Sequence, residues 1–162
     1  MYSIGIITAS DKGARGERED ISGKAIADML VKIGAVKQYV VVPDDQKLLA
    51  DTMITMIDKQ EIDLVLTTGG TGLGPRDVTP EATLSIVEKI VPGIPEAMRA
   101  KSLEKTSRAM LSRAVAGIRG RSLIINLPGS PKGVRECLEV VLPGIEHGLA
   151  ILKGETGECG QA

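Results

Sequence analysis

Ile62-Asp-Leu-Val-Leu-Thr-Thr68 is an apolar run rich in β-branched side chains, followed at once by Gly69-Gly-Thr-Gly-Leu-Gly-Pro-Arg-Asp-Val78 and then by Thr79-Pro80-Glu81. A continuous run of this length predicts a strand buried on both faces, as in a parallel sheet. Glycines at 69, 70, 72 and 74 are too dense for a packed element. Thr79 as N-cap and Pro80 at the first helical position predict a helix start, with Ala82 through Ile90 supplying its turns. The glycine-rich segment therefore joins a strand to a helix.

The same unit recurs on either side. Tyr2-Ser-Ile-Gly-Ile-Ile-Thr-Ala-Ser10 predicts a first buried strand. After a polar loop from Asp11 to Glu19, Ile21, Ala25, Met29, Leu30 and Ile33 recur at helical spacing until Gly34. Tyr39-Val-Val-Val42 predicts a second strand, and Leu48, Leu49, Met53, Met56 and Ile57 a second amphipathic helix whose methionines fill core. Downstream, a helix is expected from about Pro95 to Lys105. Residues 114–119 and 121–127 around Gly120 predict a tight hairpin, which places an antiparallel strand in an otherwise parallel sheet. Asn126-Leu-Pro-Gly-Ser-Pro131 repeats the strand-to-turn arrangement, with Ser130 as N-cap and Pro131 opening a helix that Pro143 should break or kink. The alternation specifies an α/β fold. Residues 1–153 are expected to form one domain and 154–162 a loose tail.

A chain of 162 residues with 43% hydrophobic and 25% charged side chains can bury a core without staples. Lys and Arg (20) nearly cancel Asp and Glu (21), and the only aromatic side chains are two tyrosines, which argues against nucleic acid as a partner. Cys137 and Cys159 form no CxxC, and with the single His147 they make no metal set, so reduced thiols in a cytoplasmic protein are expected. No apolar run approaches the roughly 18 residues of a membrane span.

In an open α/β sheet, ligands bind beyond the carboxyl ends of the strands. The loop from Gly69 to Asp77 has glycines at the spacing of a P-loop, but Pro75-Arg76 stands where Lys and Ser/Thr are required, and the dinucleotide fingerprint fails for want of a glycine at 75. What remains is a nest of peptide N–H groups able to meet an anion, Arg76 as a charge clamp, and Asp77, an acid foreign to a bare anion site. A carboxylate beside a phosphate cradle calls for a divalent cation, and Asp44, Asp45, Asp11 and Asp20 are candidate companions. Capping competes with this reading: Asp44 serves equally well as a cap of the second helix, and capping is the better reading for Asp20. Arg113, beside Ser112, is a candidate anion contact or a solvated arginine.

The run Leu64–Thr83 resembles the signature of the MogA/MoaB/gephyrin family of molybdenum-cofactor biosynthesis proteins. Ser10-Asp11 with Gly16 and Asp20-Ile-Ser-Gly23, Met110–Arg113 with Ala116-Gly-Ile118, and Leu123–Pro131 agree with it, so that the likeness spans about residues 3–153. Through the molybdopterin adenylyltransferases of that family, the resemblance implies a three-layer α/β/α sandwich and a homotrimer. It also implies Mg2+-dependent transfer of AMP from ATP to the terminal phosphate of molybdopterin, and hand-over to other cofactor-biosynthesis proteins. It assigns catalysis and the metal to Asp44 and Asp77. Nucleotide or pterin contacts fall to Ser10, Asp11, Asp20, Gly69, Gly70, Thr71, Gly72, Ser112, Arg113, Asn126, Pro128, Gly129 and Ser130. A non-catalytic pterin-binding module is the alternative, and a nucleotide pyrophosphatase the third reading.

Overall fold

The computed structural model describes residues 1–155; the expected loose tail beyond Glu155, with Cys159, lies outside the described residues. In chain order the elements are β1 (Tyr2–Ala9), α1 (Asp11–Ala14), α2 (Ile21–Met29), β2 (Gly34–Val42), α3 (Gln46–Ile54), β3 (Leu64–Thr68), α4 (Thr79–Leu84), β4 (Lys89–Ile90), α5 (Gly93–Leu103), β5 (Ala116–Arg119), β6 (Ser122–Leu127) and α6 (Pro131–Lys153). A π-helical turn, Thr55–Lys59, extends α3, and a 3-10 turn, Ser107–Leu111, follows α5.

The strands form one sheet in the order β2-β1-β3-β6-β5-β4, with β2, β1, β3 and β6 parallel and the β4–β5 and β5–β6 pairs antiparallel. Alternation along each strand sorts the core into two layers, because successive side chains point to opposite faces. Ile4, Ile6, Leu64, Leu66, Leu123 and Ile125 meet α2, α5 and α6 on one face. Ile7, Val65 and Ile124 meet α3 and α4 on the other. The three-layer sandwich and the hairpin at Gly120 are as expected, and the methionines of α3 and its extension, Met53 and Met56, are buried. None of the described helices is long and apolar enough to cross a membrane.

The differences are local. α2 ends at Met29, and Gly34, expected to stop it, instead opens β2 opposite Tyr2. α4 ends at Leu84 rather than Ile90, because Glu88 and Val91 donate their N–H groups to Ile118 and Ala116 and the intervening Lys89–Ile90 pairs with β5. Sheet pairing there outcompetes the local helical pattern. Thr79 does not act as a cap through its side chain: it is the first residue of α4, and its hydroxyl donates to the Gly69 carbonyl at 2.9 Å. Pro143 does not break α6, which runs unbroken from Pro131 to Lys153. The carbonyl its ring deprives of a partner belongs to Glu139, an exposed residue, where water can take the place of the missing N–H.

At the amino ends of the parallel strands Lys153 Nζ pairs with Asp63 Oδ1 at 2.5 Å, and the Tyr2 hydroxyl donates to Glu155 Oε2 at 3.2 Å. These contacts lie at the opposite end of the sheet from the glycine loops.

Candidate active site

From β1 the chain crosses to β2 on one side, and from β2 it crosses back to β3 on the other, so the connections diverge between β1 and β3. Loops that leave adjacent strands in opposite directions open a crevice at the carboxyl ends. A cleft of about 560 Å³ lies there, walled by Ser10 after β1, Asp44 after β2, Gly69, Gly70 and Asp77 after β3, and Gly129 and Ser130 after β6.

The glycine loop is held from behind. Gly69 sits at φ +90° and Gly70 at φ +68°, turning the chain sharply away from β3. Arg113 stands beneath the loop, donating Nε to the Gly72 carbonyl and Nη2 to the Asp77 carbonyl, both at 2.7 Å, and pairing through Nη1 with Glu81. Its own backbone N–H meets the Thr71 carbonyl at 2.9 Å. Arg113, expected as an anion contact or a solvated arginine, does not stand free in solvent: its guanidinium bonds loop carbonyls and Glu81, whose carboxyl it holds below its ordinary range.

Acids line the other wall. Asp11 and Asp44 are locked reciprocally, each backbone N–H donating to the other's carboxylate at 3.0 Å. Arg76 reaches back from the glycine loop to clasp Asp11 through Nε and Nη2, both at 3.0 Å. That guanidinium, with the Asp44 N–H, holds the Asp11 carboxyl below the usual range. Asp44 shows the opposite behaviour: burial first, then the charges of Asp11 and Asp77, push its carboxyl up. Asp77 Oδ2 accepts the Gly74 N–H at 2.9 Å. An acid kept near two others at an energetic cost is a place where a hard cation would be welcome. Two carboxylates suit an ion that completes its shell with substrate oxygens and water. Among the described residues no three acid, histidine or cysteine side chains form a self-sufficient cage.

Capping is resolved residue by residue. Asp20 caps α2, accepting the Gly23 N–H at 2.9 Å. The cap of α3 is Asp45, accepting the Leu48 N–H at 2.7 Å, which leaves Asp44 to the cleft. Asp45→Ala should therefore cost about 1 kcal/mol, read as a melting temperature lower by about 2–4 °C, and leave activity unaltered.

A second cleft of about 760 Å³ shares Ser130 with the first and lies on the other side of the glycine loop. Thr71, Gly72, Ser112 and Pro128 line it, together with Arg99 from α5, Lys105 from the turn after it, Arg108 from the 3-10 turn and Lys132 from α6. Four cations face one acid, Glu136, so this cleft is basic where the first is acidic. Of the expected contacts, Asn126 belongs to neither cleft. It is fully buried, accepting from the Val115 N–H and donating to the hydroxyls of Thr67 and Thr83, and so ties strand ends together under the floor. Cys137 is core, and His147 lies exposed on α6.

Sequence reasoning missed the four basic residues and two hydroxyls, Thr8 and Ser22. A signal existed for three of the four basic residues, since the segment from 99 to 113 carries Arg99, Lys101, Lys105, Arg108 and Arg113 without a balancing number of acids. No comparable signal marks Thr8, which reads as one more strand residue.

Comparison with known proteins finds relatives over most of the chain. Residues 5–147 match the family model described as a probable molybdopterin binding domain. A molybdopterin adenylyltransferase of Helicobacter pylori strain J99 is 47% identical over 154 residues, covering 93% of this chain and 88% of that protein. The molybdopterin adenylyltransferase of Escherichia coli K12 is 40% identical over 141 residues, 85% of this chain and 72% of its own length. The crystal structure of the molybdopterin biosynthesis enzyme MoaB from Thermus thermophilus superimposes with a TM-score of 0.89 at 51% identity, covering 95% of this chain and 98% of that one.

Proposed function

This chain belongs to the molybdopterin-binding family of molybdenum-cofactor biosynthesis proteins, and from that premise we propose that it transfers AMP from ATP to the terminal phosphate of molybdopterin and releases pyrophosphate. A terminal phosphate oxygen of the pterin attacks the α-phosphorus of ATP. The new P–O bond replaces the bond to the β-phosphate oxygen, and that oxygen leaves with pyrophosphate. Such a displacement brings several negative charges together, so the work is alignment and charge neutralisation, with no covalent nucleophile needed from the protein.

The observation that carries this reading is the pair Asp44 and Asp77 on the wall of a cleft that the backbone of Gly69 and Gly70 also lines. We assign Mg2+ to those two carboxylates, where it would neutralise phosphate charge; the raised carboxyl of Asp44 is the group its charge would relieve. Gly69, Gly70 and Gly129 present backbone to the triphosphate, and Ser10 and Ser130 offer hydroxyls at the rim. Asp11 and Arg76 hold the acidic wall in place. The basic cleft, through Arg99, Lys105, Arg108 and Lys132, suits the phosphorylated pterin, with Thr71, Gly72, Ser112 and Pro128 forming its border with the nucleotide side.

The test is direct. Protein, molybdopterin and labelled ATP with Mg2+ should yield adenylylated pterin and pyrophosphate in equal amounts. A module that only binds pterin gives neither, and a pyrophosphatase consumes ATP without the pterin. The proposal takes residues 1–153 as one functional domain, in the cytoplasm and as a homotrimer that hands its product to other cofactor-biosynthesis proteins. Light scattering on the eluted protein should return three times the chain mass, and a single-chain mass would end the trimer.

A further inference from the structure

Tyr39 lies on β2 opposite Ile6 and reaches past the sheet to the start of α2, where its hydroxyl donates to Asp20 Oδ2. Thr8, at the end of β1, donates its hydroxyl to the same oxygen at 2.5 Å, and the Gly23 N–H meets the other carboxylate oxygen at 2.9 Å. One carboxylate thus ties β1, β2 and α2 together. The space for this is created by Gly23. A methyl group there would overlap Asp20 Oδ2 and the Tyr39 hydroxyl and approach Tyr39 Cζ at 2.7 Å. Burial, then the bond to Asp20, push the Tyr39 phenol well above its usual range, so it remains a donor. Next along α2, the hydroxyl of buried Ser22 donates to the Gly129 carbonyl at 2.7 Å, and Gly129 in turn lies against Gly69.

We propose that Tyr39 is a positioning residue of the nucleotide cleft: by fixing Asp20 it fixes the start of α2, and through Ser22 it sets the spacing between the two glycine loops that receive ATP. Tyr39 touches no substrate. It is one of only two aromatic side chains in the chain, and it is spent on this contact. The inference rests on the adenylyl-transfer reading for the identity of the ligand.

Because the network shapes a wall and leaves the reacting phosphates alone, its loss should weaken ground state and transition state alike. Tyr39→Phe removes one oxygen. The expected result is a Kd for MgATP about tenfold higher by titration calorimetry, equivalent to about 1.4 kcal/mol, with a matching rise in KM and a kcat within about twofold of the parent. A role in folding alone would lower the melting temperature and leave the Kd unmoved, and that result overturns the inference. Acting through Asp20 also requires coupling: in an Asp20→Asn background, Tyr39→Phe should add nothing further to the Kd, and additive effects would overturn it as well. Should Tyr39→Phe fail to fold, Thr8→Val, which removes the other hydroxyl donor on the same oxygen, must raise the Kd for MgATP, and an unchanged value overturns the inference. Failure of the functional reading looks different. If the parent protein binds MgATP but transfers no AMP, that reading falls while weaker binding by Tyr39→Phe still upholds the network; if the parent binds no MgATP, both fall.

Discussion

Asp77→Asn and Asp44→Asn each lower AMP transfer by about a hundredfold or more at matched Mg2+, the scale on which charge stabilisation in a transition state is lost, while the protein remains folded. The two variants separate in stability. Asp44 is ionised against burial and against Asp11 and Asp77, so its folded pKa lies above the unfolded value and its charge opposes folding at neutral pH. Replacing it with a neutral amide that can still accept the Asp11 N–H should raise the melting temperature as activity disappears. Stability gained at the expense of turnover is the expected signature of a residue held in place for chemistry. Near-normal transfer by Asp77→Asn, or a marked loss of stability in Asp44→Asn, would remove the metal assignment. Rates and calorimetric melting on the same preparations decide both points.

Gly69→Ala should unfold the site itself. At φ +90° a side chain is strained, and the methyl would overlap the Ala9 carbonyl oxygen, which belongs to β1 and cannot move without disturbing the sheet. A cost of about 3 kcal/mol is expected, read as a melting temperature lower by about 6–12 °C, together with loss of nucleotide binding. Gly72→Ala provides the contrast. Its methyl would approach only Asp77 Oδ2, at 2.9 Å, the movable end of a side chain. The melting temperature should hardly change, while transfer falls because the carboxylate has been pushed aside. If both variants melt alike, the distinction between loop scaffold and displaced acid is wrong.

Most of the fold was legible because its signals are local and strong. Buried β-branched runs at Ile4–Ile7, Leu64–Thr68 and Leu123–Leu127 admit little besides central strands, and Ser130-Pro131 marks a helix start by the chemistry of orphan N–H groups. The misreadings at Gly34, Lys89–Ile90 and Thr79 share one physical source, partners outside the local pattern. Lys89–Ile90 becomes strand because β5 presents an edge there, and no helical periodicity in 82–90 contains that information. Thr79 has the residue type and position of a cap, yet Gly69 is close enough to take its hydroxyl.

The site divides the same way. The glycine loop and Asp77 were visible as a motif, and Asp44 as an acid at a strand end, but that Asp45 rather than Asp44 caps α3 depends on a backbone turn that spacing alone leaves undetermined. Arg113 and Asn126 carry the polar chemistry of ligand contacts. Only the folded chain shows their donors consumed by Gly72, Asp77 and Glu81 in one case and by Thr67 and Thr83 in the other. The basic cleft was only partly legible: the surplus of cations from 99 to 113 is visible in the sequence, but Lys132 joins them only when α5 and α6 stand side by side.

The contacts of Tyr2 with Glu155 and of Asp63 with Lys153 bring the beginning of the chain and the last described turn to one pole of the molecule, with the cleft of the glycine loops at the other. A tether attached at residue 1 therefore leads away from that cleft. Covalent fusion there, whether of an affinity handle, a surface anchor or another enzyme's polypeptide, leaves the cleft unobstructed, so this unit is suited to serve as one module of a longer multifunctional protein.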